Sequence, residues 1–421
     1  MIRIVESTAA AGLLRRRAAR MSAAEEIVRP IIEDVRKRGD RALLEYARRF
    51  DGLTRKGVAV PPAELDAAAA RLSPQFRRAV QTSVKNVRAF ARLQLPAAKK
   101  IEPAPGLKLS QIVRPLESVA AYIPAGRYPL PSTAIMTVVP AQVAGVANIM
   151  LATPRAVDEI LGVASLLKVT RVFEMGGAQA IAAFAFGTKT VPRADRIVGP
   201  GNIYVAAAKK LLAGEVGIDF VAGPTEILII ASEGDPRWLA ADMLAQAEHD
   251  TAASAILLTR SRSLAAAVAA EIETQLASLA TAPIARAAID RNSAIILVRS
   301  DEEAVELSNR FAPEHLSLHD AKLLGGIRHA GSVFLGPSSP EAAGDYASGP
   351  NHVLPTSGAA RLRRSLSPAT ASPSACGKQL VSCVVTLSLT VGPQRRCLWP
   401  RMRSRTHKRR RTPPTMSRRR C

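Results

Sequence analysis

The chain has 421 residues, of which 48% are hydrophobic, so it is long enough to bury sizeable cores in two or more domains. Its formal charge of +23 would indicate a polyanionic partner if it were spread evenly. However, residues 361–421, called here the basic tail, hold 16 of the 58 Lys and Arg and no Asp or Glu. Residues 1–360 therefore carry 42 basic against 35 acidic side chains, and with 4% aromatic residues in the whole chain, we expect no nucleic-acid binding by this part.

All the thiols of the chain also lie in the basic tail, at Cys376, Cys383, Cys397 and Cys421. Residues 1–360 can therefore form neither a disulfide framework nor a cysteine-based zinc site. Arg15, Arg16 and Arg17 are not followed by an apolar run, and no uninterrupted apolar stretch approaches about 18 residues. We therefore expect a cytoplasmic protein.

The first hundred residues predict mainly helices. Ser22 and Glu25 have the spacing of a capping box, so a helix is expected to begin there, to kink at Pro30 and to end at Gly39. Asp40 is expected to cap a second amphipathic helix.

From residue 119 the pattern changes to short apolar runs that alternate with Ala-rich segments of helical length. The predicted strands are Val119–Ile123, Ile149–Ala152, Arg171–Met175, Arg196–Val198, Ile227–Ala231, Ile256–Thr259, Ile295–Val298 and Ser332–Leu335. The predicted helices are Ile160–Leu167, Ala178–Phe186, Ile203–Leu212, Trp238–Ala247 and Leu264–Leu276. This alternation predicts a doubly wound, parallel α/β architecture. The basic tail lacks periodicity outside Val381–Leu389, and we expect it to be disordered.

Several polar residues are candidates for chemistry. Gln246 and His249 stand three apart on a predicted helix, so both could reach one ion, although such a pair is also common on ordinary surfaces. Glu314 and His315 follow Pro313 and suit two distinct proton-transfer roles; the alternative is a solvated Glu beside a structural His. His319 and His329 have no comparable polar partner beside them in a motif, and we expect surface or structural roles for them.

A Gly-rich loop supplies two further candidates. Asp345 adds the carboxylate that a zinc site of Gln oxygen and His nitrogen would need, and His352 adds an imidazole. Two turns, Gly176–Gln179 and Gly199–Asn202, lie between a predicted strand and helix, where backbone amides could face a phosphate. Neither is a full dinucleotide fingerprint.

Together these segments resemble the histidinol dehydrogenase family over roughly residues 1–360. The matching motifs are Tyr122–Pro124, Gly176–Ala182, Gly199–Asn202, Ala222–Glu226, Gln246–His249, Pro313–Leu316 and Gly344–Thr356. The resemblance implies a homodimer with shared active sites. It also implies one zinc ion per subunit and the oxidation of L-histidinol to L-histidine through the aldehyde, with two NAD molecules.

The resemblance also assigns roles to residues by position. Gln246, His249 and Asp345 are implied as zinc ligands that also bind substrate. His315 is implied as the general base and a substrate contact, and Glu314 as the residue that activates water. Tyr122, Gln179 and Asn202 are implied as NAD contacts, and Thr225 and His352 as substrate contacts.

The resemblance further implies two Rossmann-like parallel-sheet domains with a helical N-terminal extension. The expected division is residues 1–118 for the helical region and part of the first domain, 119–222 for the second, NAD-binding domain, 223–320 for a return to the first and 321–360 for a return to the second with an active-site loop.

The basic tail departs from the family. In the family, a C-terminal segment completes the neighbouring subunit's site with a glutamate and a zinc-binding histidine, whereas here no Glu follows Glu341 and His407 stands among arginines. Our hypothesis is a frameshift near Ala360–Ser367, either genuine or a sequencing error. Two alternatives remain: an inactive homologue whose tail binds polyanions, and an enzyme acting on a related amino alcohol.

Overall fold

The computed structural model describes residues 1–124, 129–220, 223–344, 348–361, 366 and 386–388, with the backbone alone for residues 9–11, 13–20 and 386–388. Asp345, His407 and most of the basic tail lie outside the described residues. No helix in the described ranges is both long enough and apolar enough to cross a membrane.

The strands fall into two large sheets and one exposed hairpin. In chain order they are β1 Ile4–Glu6, β2 Ala59–Val60, β3 Lys99–Ala104, β4 Leu107–Gln111, β5 Ser118–Tyr122, β6 Asn148–Thr153, β7 Arg171–Glu174, β8 Arg196–Val198, β9 Gly217–Ile218, β10 Glu226–Ile230, β11 Ser254–Thr259, β12 Ala294–Leu297, β13 His315–Leu318, β14 Ser332–Leu335 and β15 Thr386–Ser388.

The helices connect these strands and cover both faces of each sheet. They are α1 Ala10–Arg38, α2 Asp40–Tyr46, α3 Pro62–Arg71, α4 Pro74–Leu93, α5 Pro131–Val143, α6 Asp158–Leu166, α7 Gly177–Phe186, α8 Ile203–Leu212, α9 Pro236–Ala247, α10 Arg262–Leu276, α11 Ala282–Asn292 and α12 Asp301–Phe311. Short 3-10 turns at Ser7–Ala9, Ala321–Gly326, Glu341–Ala343 and Ala359–Arg361, and a π turn at Ala47–Asp51, complete the described part.

The larger sheet has the order β1-β12-β11-β10-β13-β14-β15, and all its pairs are parallel. The smaller sheet has the order β2-β7-β6-β5-β8-β9 and is parallel except for β2. Each sheet is buried on both faces, since alternate residues along its strands enter two different hydrophobic clusters. The predicted mixed α/β class with parallel sheets and helices is confirmed.

The paired strands also show which sheet takes each segment. Residues 332–335, for which the resemblance implied a return to the second domain, form β14 of the larger sheet because they pair in parallel with β13. Residues 386–388, from the basic tail, form β15 beside β14.

Two predicted helix caps are wrong. Helix α1 begins at Ala10, not at Ser22, because the residues between them have good helix propensity and extend the helix towards the N-terminus. Asp40 is the first residue of α2 and not its cap. Gly39, with φ of 55°, precedes it, and the Asp40 carboxylate accepts a 2.9 Å hydrogen bond from Thr190 Oγ1.

Candidate active site

A cavity of about 900 Å³ contains most of the predicted site residues. The smaller sheet contributes residues beyond the carboxyl ends of its strands, as is usual for α/β sheets. The larger sheet contributes residues at the amino ends of β10 and β13 and beyond the C-terminus of α9. The predicted residues that line the cavity are Tyr122, Gln179, Asn202, Thr225, His249, Glu314, His315 and His352.

The backbone of one residue, Glu226, contacts both the predicted base and the predicted carboxylate. The Glu226 N–H donates to Glu314 Oε2 at 3.0 Å, and the Glu226 carbonyl oxygen lies 3.2 Å from His315 Nδ1. Thr225 Oγ1 donates to the same Glu314 oxygen at 2.6 Å. Both side chains are buried, so the parallel pairing of β10 with β13 sets their positions before any ligand arrives.

The surroundings of His315 select one tautomer. Besides the Glu226 carbonyl, Nδ1 lies 3.6 Å from Glu341 Oε1 and 3.8 Å from Glu314 Oε2. Since all three neighbours are oxygen atoms, we assign the proton of the neutral ring to Nδ1. Nε2 is then the nitrogen with the lone pair, and it is the atom that can accept a proton.

Gln246 occupies a fully buried position in the last turn of α9. One terminal atom of its amide lies 2.5 Å from Thr225 Oγ1, and the other lies 3.1 and 3.0 Å from Glu341 Oε1 and Oε2. If the nitrogen faces Glu341, the amide oxygen competes with Glu314 for the single Thr225 hydroxyl proton. If the amide oxygen faces Glu341, it lies against two carboxylate oxygens, and none of these atoms can donate a hydrogen bond.

A cation beside the Gln246 oxygen removes this conflict. The amide nitrogen then donates to Thr225, the Thr225 proton goes to Glu314, and the positive charge offsets the Glu341 carboxylate. The buried donor set therefore fits a bound metal ion. In the described part of the chain, no group of three or more His, Cys, Asp or Glu is placed to hold a metal by itself.

Three further predicted site residues, His249, His352 and Asp345, differ in where they lie. His249 lies just beyond α9 and is exposed, and its Nδ1 lies 2.8 Å from the Ala245 carbonyl oxygen. Nδ1 is thus occupied, and His249 lines the cavity. His352 is partly exposed and lines the cavity. Asp345, the third predicted zinc ligand, lies outside the described residues.

Helix α9 also carries a buried carboxyl group with a raised pKa. Asp242 stands one turn before Gln246, and burial raises its pKa to about 6 from an ordinary 3.8. A carboxyl whose pKa is raised by folding lowers the stability of the folded state when it ionises. The penalty is absent below about pH 4 and complete above about pH 6.

Replacing Asp242 with Asn is therefore expected to increase the free energy of unfolding by about 1–3 kcal/mol at pH 8. The gain should shrink as the pH falls from 6 to 4, which urea denaturation at several pH values would measure. A gain that does not change with pH would contradict this assignment.

The smaller sheet brings the predicted NAD contacts to the opposite wall. The Tyr122 hydroxyl accepts a 3.2 Å hydrogen bond from the Gly177 N–H, and burial raises the pKa of this phenol, so it stays neutral. Gln179 is buried and donates to Asp51 Oδ2 at 3.1 Å. Asn202 Oδ1 caps α8 by accepting from the N–H groups of residues 204 and 205 at 3.0 and 3.1 Å.

The Gly199–Asn202 turn has a glycine that no other residue can replace without strain. Gly199 has φ of 110°, and a Cβ there would clash with the Tyr122 carbonyl oxygen. The turn is consequently packed directly against the end of β5.

Replacing Gly199 with Ala is expected to lower the free energy of unfolding by about 3 kcal/mol or more, through backbone strain and overpacking. Gly214 provides a matched control, because it has the same φ of 110° but a Cβ added there would meet no atom within 4 Å. Gly214→Ala should cost only about 1–2 kcal/mol of backbone strain. Equal losses in urea denaturation would refute the close packing.

Sequence reasoning missed two residues of the site. Glu341 begins a 3-10 turn, is buried, and contacts both Gln246 and His315; the sequence signal was its position four residues before Asp345. Asp51 ends the π turn and lines the cavity, where its Oδ2 accepts from the Gly176 N–H at 2.8 Å. Burial raises the Asp51 pKa.

Comparison with known proteins identifies the family of this chain. The family model for histidinol dehydrogenase matches residues 14–370. The histidinol dehydrogenase of Geobacter sulfurreducens is 49% identical over 354 residues, 82% of each chain, and that of Methanothermobacter thermautotrophicus is 46% identical over 349 residues, 81% of this chain and 82% of its own. The crystal structure of histidinol dehydrogenase from Elizabethkingia anophelis superposes with a TM-score of 0.78 at 39% identity, covering 82% of each chain. The chain therefore belongs to the histidinol dehydrogenase family of oxidoreductases.

Proposed function

We propose that this chain oxidises L-histidinol to L-histidine through L-histidinaldehyde, using zinc and two molecules of NAD. The observation that carries the proposal is the pairing of His315 and Glu314 on the Glu226 peptide, at the edge of a cavity large enough for a cofactor and a small substrate. The relatives that match over four-fifths of the chain are named histidinol dehydrogenases.

His315 removes the alcohol proton. Its Nδ1–H remains with the Glu226 carbonyl, so the proton is taken at Nε2. The nearby Glu314 and Glu341 carboxylates stabilise the positive charge that the ring acquires. NAD, when bound, supplies the acceptor for the hydride that leaves the same carbon atom.

Glu314 acts in the second oxidation. The aldehyde must first add water, and a carboxylate beside the reacting carbon can take a proton from that water. Thr225 and the Glu226 N–H hold the Glu314 carboxylate in place through hydrogen bonds of 2.6 and 3.0 Å. One cavity can therefore serve both steps, with two neighbouring groups in separate roles.

Zinc would be held by Gln246, His249 and Asp345, as inferred from the family. The Gln246 oxygen is the ligand that the structure supports most directly, because a cation beside it would satisfy the hydrogen bonds of Thr225, Glu314 and the Gln246 amide together. When bound, zinc supplies a fixed positive charge that anchors the polar groups of histidinol. Thr225 and His352, which line the cavity, are proposed as further substrate contacts.

The NAD site is proposed at the wall built by the smaller sheet. Tyr122, Gln179 and Asn202 all line the cavity there, and each is fixed by a hydrogen bond to a neighbouring turn or helix. A cofactor bound at this wall would lie opposite Glu314 and His315.

We propose a homodimer in which each site also needs a glutamate and a histidine from the partner's C-terminal segment. The basic tail has no Glu and only His407, so we expect weaker zinc binding and slower turnover than in a chain with the usual segment. The origin proposed for the tail is a frameshift near Ala360–Ser367. Resequencing of genomic DNA and transcript tests this, and the same reading frame in both would exclude a sequencing error.

The substrate is tested by comparing amino alcohols. Zinc-loaded protein with NAD should oxidise histidinol faster than amino alcohols that lack an imidazole, as followed by NADH absorbance. Equal rates on such alcohols would replace histidinol by a broader substrate class.

A further inference from the structure

A charged pair lies fully buried beneath the cofactor side of the cavity. Lys209, on α8, forms an ion pair with Asp219, just after β9, and their side chains are 1% and 0% exposed. Neither side chain lines the cavity in the described part of the chain. Burial of two charges is costly unless their remaining hydrogen-bonding groups are also satisfied.

The pair satisfies these groups on one backbone residue. Asp219 Oδ2 accepts from the Gly199 N–H at 2.7 Å, and Lys209 Nζ donates to the Gly199 carbonyl at 2.8 Å. The other Asp219 oxygen accepts from Lys209 and from the Phe220 N–H. Both polar groups of Gly199 are therefore bound by opposite ends of one ion pair.

Gly199 begins the turn that forms part of the cavity wall. Pro200, Gly201 and Asn202 follow it and all line the cavity. On its other side, Gly199 packs against the Tyr122 backbone so closely that a Cβ would not fit. The turn is thus held between the end of β5 and the buried ion pair.

We propose that Lys209 and Asp219 are positioning residues for the NAD site. They fix Gly199, and through it the Gly199–Asn202 turn, against the end of β5, at the wall where we propose that NAD binds. The inference rests on the proposed binding of NAD at this wall. It adds two residues that touch neither cofactor nor substrate but act through the turn.

The test removes the charges of Lys209 and Asp219 and keeps a hydrogen-bond acceptor for the Gly199 N–H. In the double variant Lys209→Met with Asp219→Asn, the Gly199 N–H retains a partner while its carbonyl loses one. We expect NADH to bind about tenfold more weakly, the effect of losing one or two hydrogen bonds, with zinc affinity unchanged. NADH fluorescence and zinc competition would be measured on full-length protein below its melting temperature.

Lys210→Met is the matched control, since Lys210 neighbours Lys209 on α8 but pairs with Glu25 at the surface. It should leave NADH binding unchanged. The single variant Asp219→Asn tests the pair more mildly if the double variant does not fold, and it should weaken NADH binding in the same direction.

Three outcomes are distinguishable. Weaker NADH binding with intact zinc binding supports the positioning role. Unaltered NADH binding in the folded variants, beside a wild-type chain that binds NADH, overturns this role and leaves the proposed function standing. If the wild-type chain itself does not bind NADH, the proposed cofactor is wrong and the inference falls with it.

Discussion

Replacing His315 with Asn is expected to reduce the rate of histidinol oxidation by about 10²–10⁴-fold, the usual contribution of a positioned general base. Asn can still offer an N–H towards the Glu226 carbonyl, but it has no group that replaces Nε2. The fold should therefore persist while proton removal fails. Steady-state NADH formation at saturating histidinol and NAD would measure the loss.

His319→Asn is the matched control for this variant. His319 follows the same strand at its opposite end, and burial lowers its pKa, but it does not line the cavity in the described residues. Its replacement should change the rate by less than about twofold, because surface and structural substitutions act mainly on stability. A comparable loss in both variants would show that His315 acts through folding and not through proton transfer.

Replacing Gln246 with Leu is expected to weaken zinc binding by at least about 100-fold, since the change removes a ligand and not only an outer contact. Leu has a similar size, and it leaves the Thr225 hydroxyl free to donate to Glu314 alone. Zinc content after dialysis against a chelator, measured by mass spectrometry, reports the effect without any need for turnover.

The control for the zinc experiment is Gln275→Leu. Gln275 donates a 2.9 Å hydrogen bond to the Arg237 carbonyl at the other end of α9, so it matches Gln246 in residue type and helix contact. Zinc retention should equal that of the wild type. If Gln246→Leu also keeps its zinc, the metal does not bind at the end of α9, and the interpretation of the opposed Gln246 and Glu341 oxygens is wrong.

Local patterns were sufficient to predict much of the fold. Strands β8 and β14 and helix α8 have the predicted bounds, because apolar runs between Gly and Pro specify buried parallel strands. The same patterns misplaced the start of α1, where a capping-box spacing occurs inside a longer helix. Propensity over several turns outweighed that local signal.

The site was less accessible to pattern reasoning, because its contacts join distant segments. Glu341 has only one signal in the sequence, its position four residues before Asp345, yet it contacts Gln246, 95 positions away in the chain, and His315, 26 positions away. Likewise, the role of the Glu226 peptide appears only when β10 pairs with β13. Residue types indicated which chemistry is possible, whereas the order of the strands decides which of these side chains lie in one site.

The most direct test of the proposed mechanism is the stoichiometry of the complete reaction. Zinc-loaded protein, incubated with histidinol and excess NAD, should form two molecules of NADH for each molecule of histidine, and the His315→Asn variant should form neither at a comparable rate. No NADH above the level of that variant, or one NADH with an accumulating aldehyde, would contradict a single cavity in which His315 and Glu314 carry out both oxidations.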